Sequence, residues 1–217
     1  MNSQAPSPRT EVRRKPDRAR YDAPTIHAIV DAALLCHIGF SDVAGTHCLP
    51  MACWREGEHL YIHGAKSSRL IDALLAADCS VCITHLDGLV MARAAKYHSM
   101  NYRSAVIYGR FTDVVEESAK AAAMAAFIEH VSPGRNAGIR PSSPAELAST
   151  RVLRLPLAEA VAKVRTGGPQ DRPEDLALPV WAGVLPLGLH AGAARAEDDS
   201  RDRVAPRLSP ALLATAR

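Results

Sequence analysis

The sequence predicts an α+β chain, mainly β, in which antiparallel strands form a barrel with helices at its ends. Strand-like runs outnumber helical ones, and several follow one another directly, separated only by turn residues, which argues against alternating βαβ units. Hydrophobic residues make up 47% and charged residues 23%, the balance of a globular protein able to build a core.

The elements follow in order. Pro24 opens a helix whose Ile26, Ile29, Val30 and Ala33 recur at helical spacing and give one apolar stripe. Three β-type runs come next, Cys36 to Phe40, His47 to Trp54 and Leu60 to Gly64, with Gly45 and the cluster Arg55 to Glu58 as turns. A second helix carries Leu70, Ile71, Leu74 and Leu75 on one side, with Ser67 or Ser68 as its N-cap. Strand character resumes at Ser80 to Thr84, at Leu89 to Ala92, and from Ala105 to Tyr108 towards Val115. A third helix spans about Ser118 to Val131 and stops at Pro133-Gly134; Val152 to Leu157 reads as a strand continuing through Val161 to Val164. The expected organisation is a flexible basic arm over residues 1–20, a barrel domain over 21–190, and a flexible tail over 191–217.

Charge and cysteine usage narrow the function. Formal net charge is +3, and residues 9–20 hold six Arg or Lys against two acids, read as a solvated arm. No aromatic-basic stripe accompanies it, so no nucleic-acid partner is expected. The longest apolar run, Ala121 to Ile128, falls far short of the roughly 20 residues of a spanning helix, and the first 25 residues hold no apolar signal segment. The expectation is a cytoplasmic protein with no membrane partner, its five cysteines reduced.

Spacing argues against a metal site. On a strand, His59 and His63 have α-carbons roughly 13 Å apart, too far to share one ion easily. Cys79 and Cys82 form a lone CxxC whose members a strand sends to opposite faces. No GxGxxG, P-loop or GxSxG motif is present. What remains is the run Leu60 to Arg69, where a strand ends at Gly64 and hands over to a helix whose start carries Lys66, Ser67, Ser68 and Arg69. Free helix amides, hydroxyls and an Arg fork together suit a phosphate. Routine capping by Ser and a solvated Arg explain the same residues equally well.

The chain resembles the flavin-binding split β-barrel proteins of the pyridoxamine 5'-phosphate oxidase-like group, in particular the nitroimidazole-resistance-related branch. The resemblance spans about residues 9 to 187 and rests on Arg13-Arg14, Cys36 to Phe40, Leu60 to Gly64, Ser67-Ser68-Arg69, Leu86 to Val90, His98 to Ser104, Ala162 to Gly167 and Pro179 to Gly183. It implies a homodimeric split β-barrel holding FMN, or FAD, at the subunit interface. Carried onto this sequence, Ser67, Ser68 and Arg69, with Lys66 adjacent, grip the flavin phosphate. His63 and the neighbouring Pro50, Met51 and Ala52 line the ring, Ser104 supplies a polar contact, and Trp181 is either a cofactor contact from the second subunit or an ordinary core or surface aromatic. True oxidases of the group hold their substrate with basic residues near the C-terminus. Here that end is Ala-rich and carries Glu197, Asp198 and Asp199, so vitamin B6 oxidation is not expected.

The resulting expectation is an oxidoreductase passing electrons from a small-molecule donor to a small organic acceptor, with no assigned catalytic residue beyond His63 as the best candidate. The alternative is a protein that stores or senses flavin or haem without turnover, the nine histidines offering axial ligands.

Overall fold

The computed structural model describes residues 4–213. In chain order the elements are β1 (Ala19–Arg20), α1 (Ala23–Asp31), β2 (Leu35–Asp42), β3 (Gly45–Glu56), β4 (His59–Ala65), α2 (Arg69–Ala76), β5 (Cys79–Met91), β6 (Ser99–Gly109), β7 (Thr112–Asp113), α3 (Glu117–Val131), α4 (Pro144–Ser149), β8 (Thr150–Pro156), β9 (Ala160–Arg165) and β10 (Gly183–Pro186). The ten strands run in the order β1-β9-β6-β5-β2-β3-β4-β8-β7, with β10 paired to β5, and the pairings are antiparallel. This is the split β-barrel that the sequence predicts.

Alternation along the strands decides what the barrel encloses. On β2, Cys36, Ile38 and Phe40 point inward, while Leu35 and His37 take the outer face. The inner residues join Ile62, Val81, Ile83, Ala105, Ile107 and Leu155 in the main core, closed by Ile26, Ile29 and Val30 of α1 and by Leu70, Ile71 and Leu74 of α2. Asp22 caps α1 by accepting the Thr25 N–H at 2.9 Å. β4 is covered on both sides: Leu60 and Ile62 face the main core, whereas Tyr61 belongs to a second cluster with Trp54, Val152, Met124 and Phe127 beneath α3.

Several boundaries differ from the sequence reading. The two expected runs between Ser80 and Ala92 are one thirteen-residue strand, β5, because a register shift between Leu86 and Gly88 keeps the pairing with β6 continuous. Asp87, between the two expected runs, has a side chain only 7% exposed and held by Arg103 through bonds of 2.8 and 2.9 Å. β6 starts at Ser99, six residues before the expected Ala105, and ends at Gly109, with the short β7 separate. The expected run from Val152 to Val164 is two strands that do not pair with each other: β8 joins β4 and β7, β9 joins β6 and β1, and the chain crosses between them at residues 157–159. The expected arm and tail extend into residues 1–3 and 214–217, which lie outside the described residues.

The described part of the lead-in is bonded to the barrel. Arg9 donates from Nε and Nη2 to Glu159 at 2.7 and 2.5 Å, the Ser7 hydroxyl donates to the same carboxylate, Thr10 is buried, and Lys163 Nζ donates to the Arg14 carbonyl at 3.0 Å. At the other end, Ser132 donates to the Arg207 carbonyl and Leu212 is buried. The Arg9 bonds, followed by the Ser7 bond, hold the Glu159 carboxyl at about 2 against an ordinary 4.5. A depressed carboxylate pKa contributes stability present above about pH 4.5 and lost as pH falls through about 2. Hydrogen exchange of residues 7–20 is therefore expected to stay slow at pH 5 and to accelerate towards pH 2 ahead of the core strands. Equal acceleration of β4 and the lead-in would contradict this.

Candidate functional site

The strand β4 hands its chain to α2 through a tight connection. Lys66 N–H donates to the Ser149 carbonyl at 2.9 Å and Ser68 N–H to the Ala65 carbonyl at 3.0 Å. Ser68 is the N-cap residue by backbone position, yet its hydroxyl makes no capping bond, which leaves both that hydroxyl and the first helix amides available. Lys66, Ser67 and Arg69 are exposed around it. Gly64 is needed just before this point: a Cβ there would lie 3.1 and 3.2 Å from Ile71 Cδ1 and Cγ1 and 3.9 Å from Met51 Cε. The glycine thus lets α2 seat on β4, and it brings Met51 beside the helix start.

Arg69 is aimed by a carboxylate. Its Nε stands 3.4 Å from Asp42 Oδ2, a buried oxygen with no hydrogen-bond partner among the described residues. Asp42 Oδ1 accepts from His47 Nε2 at 2.9 Å and from the Ala44 N–H at 2.8 Å. The His47 bond first, then the Ala44 bond, holds the Asp42 carboxyl below the usual carboxylate range, with Arg69 adding in the same direction. Asp42 therefore stays anionic, and the exposed guanidinium keeps donors free. A further cation that sequence reading did not reach, Arg151 on β8, sits opposite Gly64 with Nη1 3.4 Å from Asp72 in the first turn of α2. Only the β4–β8 register reveals it, since 87 residues of sequence separate the two positions.

The other expected site residues fall in three places. Pro50 and Ala52 lie on the outer face of the sheet, Pro50 opposite His37, which in turn opposes Cys82 on β5. Met51 points to the inner side, so the pleat separates it from both neighbours. Ser104 shares the outer face on β6, between Thr84 and Lys163, and donates to the Lys163 carbonyl at 3.3 Å. His63 lies beneath α3, its ring centroid 5.1 Å from Phe127 and 5.9 Å from Trp54. Its Nδ1 is buried without a partner among the described residues, and burial lowers its pKa, so the imidazole is neutral at pH 7. Trp181 is 62% exposed and lies against Gly183 at the start of β10, where a Cβ would come within 2.9 Å of the indole.

A cavity of about 860 Å³ lies between the lead-in and α1 and is lined by none of these residues. The donors at α2 instead form an open surface. Among the described residues no group of three or more His, Cys, Asp or Glu could hold a metal ion, and no helix is long and apolar enough to cross a membrane. Cys79 and Cys82 take opposite faces of β5, the first buried and the second half-exposed.

Fold and helix start together define a split-barrel protein whose strand-to-helix turn leaves hydroxyl, amide and guanidinium donors exposed. A family model described as pyridoxamine 5'-phosphate oxidase matches residues 22–164, and the chain belongs to that family. The flavocytochrome Anf3 from Azotobacter vinelandii is 37% identical with a TM-score of 0.87, over 96% of this chain and 97% of that one. An FAD and heme binding protein from Mycobacterium smegmatis is 31% identical with a TM-score of 0.81, over 90% of this chain and 95% of that one. A candidate 5-nitroimidazole antibiotic resistance protein from Bacteroides thetaiotaomicron, 23% identical with a TM-score of 0.56 over 67% of this chain and 86% of that one, shares the fold. No curated protein sequence matches the chain.

Proposed function

We propose that the chain is a homodimeric cytoplasmic flavoprotein that passes electrons from a reduced small-molecule donor to a small organic acceptor. The observation that carries the reading is the start of α2, where an uncommitted Ser68 hydroxyl, free helix amides and the aimed Arg69 fork face solvent together. This donor set fits the phosphate of FMN, or the first phosphate of FAD, and Lys66 and Ser67 add to it. A bound flavin supplies the redox chemistry. The chain's own residues hold and orient it: Asp42 fixes the direction of Arg69, and Gly64 and Ile71 fix the helix against the strand. His63, half-buried against Trp54 and Phe127, supports the strand from behind.

The openness of this donor surface favours a site completed by a second copy. The outer sheet face that such a copy would cover includes Leu35, which is 56% exposed, and further apolar surface is exposed at Met100, Leu185 and Trp181. Free thiols at all five cysteines suit a reducing compartment. Light scattering combined with absorbance is expected to find one flavin per 23.3 kDa chain in a particle of about twice that mass. A flavin-loaded monomer, or a purified dimer with no flavin, would sink the reading.

Haem is the second cofactor to consider, because the two most similar solved structures reported above are a flavocytochrome and an FAD and heme binding protein. In this chain the group would find an imidazole suited to iron at His98. Its Nδ1 lies 3.2 Å from the Ala94 carbonyl, the bond that orients metal-bound histidines, and the exposed Met100 is close in sequence. A Soret band in the purified protein that disappears in His98→Ala supports this; an unchanged band excludes His98.

A further inference from the structure

Arg165, at the end of β9, is 8% exposed, and its hydrogen bonds all go to neutral oxygens. Nη1 donates to the Asn101 side-chain carbonyl and to the Gly167 carbonyl at 3.2 Å, and Nη2 donates to the Gly168 carbonyl at 3.1 Å. Other partly or largely buried arginines of the barrel each have a carboxylate: Arg55 has Asp31, Arg93 has Asp171, and Arg103 has Asp87. Arg165 has none among the described residues. A cation taken out of water is ordinarily paired with an anion, since neutral acceptors compensate its charge poorly.

Its surroundings deepen the imbalance. Burial, and then the Arg18 cation, push the guanidinium's pKa down, while Tyr102 acts the other way. Lys163, two residues back on the same strand face, gives its ammonium to a backbone carbonyl, that of Arg14. That carbonyl belongs to a turn in which Lys15 adopts φ 58°, the left-handed region, directly before Pro16. Such a conformation is costly for a side-chain-bearing residue and persists only where its surroundings enforce it. Lys163 and Arg18 thus add positive charge along β9 beside Arg165, and none of the three is paired with a carboxylate among the described residues.

Of the five guanidinium N–H groups, Nε–H and one Nη2–H have no partner among the described residues. Two such donors in a fixed fork match the paired oxygens of a phosphate or carboxylate. We propose that Arg165, with Lys163 and Arg18, forms an anion-binding subsite that takes a phosphate or carboxylate group of a small molecule. It lies on β9, five places along the sheet order from β4, and is a different site from the α2 donors within one chain. The anion is either part of a bound cofactor or a free metabolite, and the same chemistry serves both.

Calorimetric titration with inorganic pyrophosphate tests the subsite in the full chain carrying Arg69→Ala, which weakens the α2 donor set without touching β9, so that the comparison of Arg165 variants in this background reads β9. Saturable binding is expected, and adding Arg165→Gln should weaken it about tenfold or more, the loss of a charge-assisted fork. Arg165→Lys, which keeps the charge without the fork, should fall between. Arg18→Ala should weaken binding a few-fold at unchanged melting temperature. If Arg165→Gln does not fold, the Lys and Arg18 variants decide. The proposal is overturned if neither pyrophosphate nor citrate binds saturably, or if the folded variants bind as tightly as their parent. Repeating the comparison with riboflavin, FMN and FAD separates the sources: a loss confined to one flavin assigns the anion to that cofactor, and unchanged flavin binding assigns it to a free anion. Failure of the flavin reading leaves the pyrophosphate result intact.

Discussion

Replacing Arg69 with Ala is expected to loosen FMN by roughly tenfold to a hundredfold, the loss of a charge-assisted hydrogen bond worth about 1.5–3 kcal/mol. The fold should survive, because the side chain is 68% exposed and its contact with Asp42 spans 3.4 Å. Riboflavin, which has no phosphate, should bind wild type and variant alike. That control separates a phosphate contact from damage to the site. Arg69→Lys keeps the charge but not the fork, and should recover part of the affinity. Equal FMN affinity in wild type and Arg69→Ala would return the residue to the solvated surface and leave the phosphate without its principal cation.

The largest expected effect on stability is at Trp54. The indole is fully buried and meets Tyr61 at 5.7 Å and Phe127 at 5.1 Å between ring centroids, so it joins β3, β4 and α3. Truncation of such a residue to Ala costs about 3–5 kcal/mol in transfer energy and cavity formation. For a chain of this size the melting temperature should fall by roughly 10 °C. Trp54→Phe should cost less, because it keeps an aromatic contact and removes an indole N–H that is buried without a partner among the described residues. A melting temperature of Trp54→Ala within about 2 °C of wild type would show that α3 is held elsewhere.

Much of the barrel was legible because alternation is a local signal. Cys36, Ile38 and Phe40 announce their inward face, and the stripe of Ile26, Ile29, Val30 and Ala33 announces α1, with no knowledge of the partner. α2 was legible for the same reason, together with its preceding serines. α4 escaped although Ser143 and Glu146 form a capping box, because six residues are too few to display a helical period. β5 was split in two because Asp87-Gly88 has the composition of a turn, and the Arg103 partner that keeps Asp87 in the strand lies 16 residues away. The donors around α2 were readable as one short segment. Arg151 and Asp42 were not, because strand register and packing across the barrel bring them to Gly64 and Arg69. His63 showed the converse limit: its place in the sequence says that it ends a strand, but only α3 decides which side of that strand is enclosed.

The double coverage of β4 also bears on how this chain can diverge. On most strands of the barrel alternate positions face outward and are free to drift. In β4, Leu60 and Ile62 answer to the main core, Tyr61 and His63 to the cluster beneath α3, and Gly64 to the seat of Ile71. Five consecutive positions are therefore constrained by neighbours on one side or the other, immediately upstream of the α2 turn. New specificities can arise more easily on the outer sheet face around Pro50 and Ser104, where a substitution disturbs no packing inside the barrel, than along the strand that sets the helix in place.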